Sequence, residues 1–301
     1  MEKEFQLMAA PLQGLTEAAW RSAHFRTFGA GQGEVEYFTP FIRVEKGAVR
    51  GRDLRDYTSD LNRGLNLTPQ IIFRDEEEWR MLVEALAEAG ARRIDMNLGC
   101  PFVPQVRKGR GAGMLCRPES LARISEEMGA YTDKIDFSIK MRLGVSDPAE
   151  AMALVDILNG MTLRHVTVHP RTASQQYKGE LLLSELDAFA SRLNHKVIFN
   201  GEISTPADIE SLMSRYSGVM AGRGLLSRPS LFAEFRTGCE LSAREREEAF
   251  LNILKDTSYV LSQRLCGASQ LRDKMKPYWE YAPSTLDKKI VKQGKKVGIL
   301  K

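Results

Sequence analysis

Short apolar or β-branched runs recur along the first 235 residues, at 5–10, 34–38, 69–73, 93–97, 137–142, 166–169, 196–200 and 219–222. Runs of this length between turn residues read as buried strands. The stretches between them follow a helical period. Residues 77–89 place Trp79, Leu82, Val83, Leu86 and Ala89 on one face, with acidic residues opposite. Residues 118–128 open on proline and carry Leu121, Ile124 and Met128 in register. Thr205-Pro206-Ala207-Asp208 combines an N-cap, a first-turn proline and an acidic first turn. Asp147-Pro148-Ala149-Glu150 repeats the signature and predicts a helix over 151–158.

Eight strands alternating with helices predict an α/β fold with a parallel sheet, either doubly wound or closed as a (β/α)8 TIM barrel. The count favours the barrel. So does the placement of polar residues: Asn97, Lys140, Arg142, His169, Asn200 and Gly222-Arg223 all fall at or just past the C-terminal ends of strands. A barrel gathers those ends at one mouth, whereas an open sheet spreads them along an edge. Past residue 237 the texture becomes helical, with Phe250, Leu254, Thr257 and Leu261 striped along 242–264 and a second amphipathic piece at 271–281. The expected organisation is a catalytic barrel over 1–236 and a small all-helical domain over 237–301.

The longest apolar run is five residues, 151–155, far short of the roughly 18 that a membrane span needs. The charged start, Met1-Glu2-Lys3-Glu4, lacks an apolar signal core. Four cysteines without a CxxC pair suit a reducing compartment, so a cytoplasmic location is expected. The net charge of +4 is uneven: residues 272–301 carry +6 and the preceding 271 carry −2. A basic tail on a nearly neutral body points to a polyanion partner or to a solubilising end.

Candidate chemistry collects at the strand ends. In Asn97-Leu98-Gly99-Cys100-Pro101 the thiol sits on a sharp turn, and a thiol with an ordinary pKa of about 8.5 is protonated at neutral pH and serves as an acid. Lys140 is a strand lysine between apolar neighbours and needs an anion, either a ligand or a barrel carboxylate. His169-Pro170-Arg171-Thr172 is followed by Gln175, Tyr177 and Gly179. Asn200-Gly201-Glu202-Ile203 and Gly222-Arg223-Gly224 follow the last two strands, where barrels often bind phosphate. Together these predict a mouth with a phosphate grip, a cation and a thiol, suited to a phosphate-bearing cofactor beside a redox or proton-transfer step.

Six of these motifs, in order, resemble the tRNA-dihydrouridine synthase family. They are Ala10-Pro11-Leu12-Gln13-Gly14-Leu15-Thr16-Glu17, the Cys100 turn, Lys140-Met141-Arg142-Leu143-Gly144, the His169 loop, the Asn200 loop and the Gly222 turn. The resemblance covers about residues 5–235. It implies FMN in a (β/α)8 barrel, NADPH (or NADH) as reductant, and a helical domain that helps hold tRNA. Ala10, Pro11 and Leu12 would pack on the flavin ring, Gln70 would bond its polar edge, Lys140 would face its N1/O2 side and stabilise the reduced anion, and His169 would sit on the flavin side of the pocket. Asn200, Gly201, Glu202, Gly222 and Arg223 would hold the ribityl phosphate. Cys100 would be the general acid, with Asn97 and Arg171 facing the uridine. The implied reaction passes hydride from flavin N5 to uracil C6 and a proton from Cys100 to C5. No metal, no membrane and no obligate protein partner is expected. The chain departs from the family in Leu12 and Glu17 for Met and Asp, in Phe102-Val103-Pro104-Gln105 where a lysine is common, and in Ala173 for a basic residue. The rival readings are a flavin barrel acting on a small molecule and a flavin-bearing RNA-binding protein without reductase activity.

Overall fold

The computed structural model of the protein describes residues 5–29 and 35–298. The charged start, residue 34 of the second expected strand and residues 299–301 of the basic tail lie outside the described residues.

The strands are β1 (Gln6–Ala9), β2 (Val35–Phe38), β3 (Ile42–Glu45), β4 (Ala48–Val49), β5 (Asn66–Thr68), β6 (Gln70–Ile72), β7 (Arg93–Leu98), β8 (Asp136–Arg142), β9 (Leu163–His169), β10 (Val197–Asn200) and β11 (Gly218–Ala221). From β6 through β7, β8, β9, β10 and β11 to β1 and β2 every pairing is parallel. β2 then pairs with β5, while β6 pairs with β7, and only Pro69 separates β5 from β6. The sheet therefore meets itself across Pro69 and closes as a (β/α)8 barrel.

Here the structure corrects the sequence reading, which began this strand at residue 69. Proline has no N–H for the ladder, so the strand breaks there instead of starting. The carbonyl of Pro69 still accepts the N–H of Asp95 at 2.9 Å, which carries the closure past the break. The β3–β4 hairpin was not expected; it is an antiparallel pair appended to β6 at the mouth.

The helices begin where the capping residues put them. Glu76–Glu88 is capped by Asp75 and buries Trp79, Leu82, Val83 and Leu86. Thr205 and Ser242 each close a capping box, the second opening the long helix Ala243–Ser262. The helix expected over 151–158 is two short ones, Pro148–Met152 and Val155–Gly160. The 271–281 piece divides into the helix Ala268–Met275 and a 3-10 turn Lys276–Tyr281, with Pro277 at the junction.

The basic tail is ordered as the helix Lys288–Val297. Gly294, which would weaken an isolated helix, is instead a packing requirement: a Cβ there would lie 2.3 Å from the Trp279 ring. Lys295 is tied to Glu280 at 2.9 Å, while Lys288, Lys289, Lys292 and Lys296 are exposed. The C-terminal helices dock on the loop after β1. Lys274 Nζ reaches Glu17 at 2.7 Å and the Gly14 carbonyl at 3.1 Å, and the Tyr278 hydroxyl donates to the Leu15 carbonyl. No helix among the described residues is long and apolar enough to cross a membrane.

Candidate active site

Strand alternation sends every second side chain into the barrel. On β8 these are Ser138, Lys140 and Arg142, on β9 Thr167 and His169, and on β7 Asp95 and Asn97. Their upper members meet in a cavity of about 940 Å³ at the C-terminal mouth. Ala10, Pro11 and Leu12 form one wall, the Asn97–Cys100 turn another, and Asn200, Gly201, Glu202, Gly222 and Arg223 a third, with Lys140 and His169 between them.

The electrostatics of this cavity are unusual. Lys140 is half-buried, its Nζ 2.7 Å from Asn200 Oδ1, and desolvation with the neighbouring Arg142 guanidinium lowers it to about 8. Asn200 is itself anchored, donating to the Met220 carbonyl at 2.6 Å. The Arg142 guanidinium carbon lies 5.2 Å from the Tyr177 ring centroid and that of Arg223 lies 4.7 Å from it, so two guanidiniums flank one phenol. Among the described residues, none of Lys140, Arg142 and Arg223 forms an ion pair. Burial, followed by the surrounding cations, drives the His169 imidazole far below its ordinary value and keeps it neutral. A buried guanidinium, a half-buried ammonium and an exposed guanidinium converging without carboxylate partners make a site that is completed by an anion.

The phosphate-side loops are shaped for close approach. A Cβ on Gly224 would stand 1.8 Å from the Ile203 carbonyl, so glycine alone lets these two loops touch. Glu202 holds a left-handed φ of +51°, a costly conformation for a non-glycine residue. Arg171 braces it: its guanidinium bonds Glu202 and reaches the Gly179 carbonyl at 2.7 Å.

Cys100 is half-buried at the mouth, and burial pushes its thiol above the ordinary value, so it stays protonated. Its backbone N–H donates to Asn97 Oδ1 at 2.8 Å, which fixes the turn. Cys116, the other cysteine of this stretch, is exposed beside Glu150 and takes no part in the cavity.

Two expected site residues do not reach the cavity. Gln70 lies beneath it, with its amide bonded to Asp95 and Asn97, both at 2.7 Å. Arg171 is buried under the His169 loop in its brace on Glu202. Arg142, not Arg171, lines the mouth on this side, and its Nε donates to the Gly99 carbonyl at 3.1 Å and its Nη1 to the Thr172 carbonyl at 2.9 Å. Arg228, just past the last barrel strand, also lines it, as do Arg246 and residues 280–285, brought back from the C-terminal region. No local pattern marked them, because their place depends on how the helices dock.

The chain matches the dihydrouridine synthase (Dus) family over residues 8–296. It belongs to that family. Among its relatives is the tRNA-dihydrouridine(16) synthase of Ralstonia nicotianae, 31% identical over 241 residues that cover 77% of this chain and 72% of that protein. The tRNA-dihydrouridine(16) synthase of Cupriavidus necator is 31% identical over 251 residues, covering 80% and 77%. In three dimensions the barrel resembles TcOYE in its complex with pHBA, with a TM-score of 0.55 and 9% identity over 83% of this chain and 94% of that one. At that identity the likeness is one of fold alone. The dihydrouridine synthases are flavin-dependent oxidoreductases, and this chain is an enzyme of that class.

Proposed function

We propose that the protein reduces a specific uridine of tRNA to 5,6-dihydrouridine, using FMN as its flavin and NADPH as the reductant. The observation that carries this reading is one cavity holding a protonated thiol, a half-buried lysine without an ion-pair partner among the described residues and a cationic loop pair. That donor set suits a flavin mononucleotide: apolar residues Ala10, Pro11 and Leu12 for the ring, and Asn200, Gly201, Glu202, Gly222 and Arg223 for the ribityl phosphate. FMN, when bound, supplies the hydride that saturates the uracil ring at C6.

The remaining work falls to the chain. Lys140 offers a positive charge to an anionic flavin edge at no reorganisation cost, because Asn200 already holds it. Cys100 Sγ holds the proton that goes to uracil C5, leaving a thiolate that water reprotonates. Asn97 and Arg142 face the uridine, while Arg171 acts indirectly through Glu202. A base in folded RNA must be turned out of its stack to reach this mouth. The exposed lysines of Lys288–Val297 add sequence-independent phosphate affinity. We divide the chain into a catalytic barrel over 1–236 and a helical RNA-holding domain over 237–301, and place the enzyme in the cytoplasm. The names of the two relatives make uridine 16 the position to examine first.

The test has two arms. Flavin released by acid from the purified protein is identified by chromatography, and FMN is expected; FAD or no flavin after reconstitution overturns the cofactor assignment. Dihydrouridine is then mapped in tRNA from a strain lacking the gene, with and without the plasmid-borne parent. Loss and recovery at one position is expected, and an unchanged map overturns the reaction.

A further inference from the structure

Asp95 and Asn97 are both inward-facing on β7, one layer apart. Asp95 is fully buried. Its Oδ1 accepts the Ser138 hydroxyl at 2.7 Å, and its Oδ2 accepts a hydrogen from Gln70 Nε2 at 2.7 Å. Gln70 Oε1 accepts in turn from Asn97 Nδ2 at 2.7 Å. Asn97 Oδ1 accepts the backbone N–H groups of Cys100 at 2.8 Å and Gly99 at 3.1 Å. A carboxylate only accepts and a backbone N–H only donates. The two ends of this chain therefore dictate which way both amides face, independently of how their oxygen and nitrogen atoms are assigned. Reversing Gln70 would set its oxygen against a buried carboxylate; reversing Asn97 would set its NH2 against two backbone donors. Either mismatch buries an unmet polar group.

One hydrogen of Asn97 Nδ2 goes to Gln70, and the other has no partner among the described residues, on a side chain that lines the cavity. We propose that Asp95 and Gln70 are positioning residues that lock Asn97 with an N–H donor toward the cavity, so that this wall reads a carbonyl oxygen and rejects an exocyclic amine. Uracil carries a carbonyl at C4 where cytosine carries an amine, and two facing donors repel. The identity of the ligand rests on the proposed function; the lock does not.

The ends of the chain suggest the experiment. Asn97→Asp still accepts from Cys100 but cannot donate to Gln70. Gln70 must then turn, and its oxygen meets the Asp95 carboxylate. Adding Asp95→Asn supplies a donor at that end and restores a fully paired chain of opposite polarity, with Oδ1 of residue 95 still accepting from Ser138. Asp95→Asn alone permits the present arrangement, because the Ser138 hydroxyl can accept instead of donate. Thermal unfolding of the four flavin-loaded proteins should show Asn97→Asp lowered by on the order of 5 °C and the double variant recovered to near the parent. Uridine turnover on tRNA should stay at least tenfold below the parent in both, since each presents an acceptor to the ligand.

An Asn97→Asp penalty that is the same with Asp95 or Asn at position 95 overturns the lock. Turnover that recovers together with stability in the double variant overturns the donor assignment. If the parent itself converts no uridine, the proposed function falls, and the four melting midpoints still decide the lock.

Discussion

Lys140 Nζ lies 2.7 Å from Asn200 Oδ1, joining the C-terminal ends of β8 and β10 without any carboxylate in the contact. A desolvated ammonium hydrogen-bonded only to a neutral oxygen is destabilising by itself, and such groups persist where activity needs them. Replacing Lys140 with Met keeps the stem volume and removes the charge. The variant should melt at or above the parent temperature in the absence of flavin. Loss of a preorganised charge of this kind lowers turnover by about 10²–10³-fold. Calorimetry and steady-state uridine reduction measure the two effects, and a less stable but fully active variant contradicts the assignment.

Cys100→Ala should retain FMN and oxidise NADPH as the parent does, because the thiol touches neither phosphate loop. Uridine reduction should fall by about 10²–10⁴-fold, the usual contribution of a positioned acid. Cys100→Ser should remain poor, since a hydroxyl is a far weaker acid. Single-turnover reduction of tRNA by the pre-reduced protein separates the steps. Parental rates in Cys100→Ala would move the proton donor elsewhere, and not to Cys116, which lies outside the cavity.

The tail helix divides its lysines. Lys295 is spent on Glu280, so the RNA-directed charges are its exposed neighbours. Changing Lys288, Lys292 and Lys296 to Gln should flatten the salt dependence of tRNA binding by about two units, at roughly 0.7–0.9 per phosphate contact. Flavin content and flavin reduction should not change. An unchanged salt slope in filter binding would place the RNA surface on the barrel alone.

Acid should weaken the fold from near neutrality. Burial lowers His24 and His165 to about 4, and His169 further still. An unfolded histidine binds its proton near pH 6.5. Below that pH the unfolded chain takes up protons that the folded chain refuses, so this stability is present above about 6.5 and lost as pH falls toward 4. Asp95 opposes the trend: burial raises its carboxyl to about 6, and the folded chain protonates it first. Three histidines outweigh one aspartate. The melting temperature should therefore drop between pH 7 and pH 5, and a flat profile over that interval would show that the imidazoles are not held neutral.

Much of the architecture was legible because it depends on near neighbours. Thr205 and Ser242 announce helix starts because a cap needs only an N–H three residues on. The polar strand ends announced a mouth because a parallel barrel has only one such face. Other features depend on pairs far apart in sequence. Alternation says that Lys140 and Arg142 share a side of β8, yet not that Arg142 enters the cavity while Arg171 turns beneath it to hold Glu202. Gln70 could be named from the family resemblance, but its engagement with Asp95 and Asn97 follows from the register between β6 and β7. The break at Pro69, the return of residues 280–285 to the mouth and the pairing of Lys295 with Glu280 were likewise settled only in three dimensions. Local hydrogen bonds and hydrophobic period are written along the chain; which buried polar group finds which partner is decided by closure and docking.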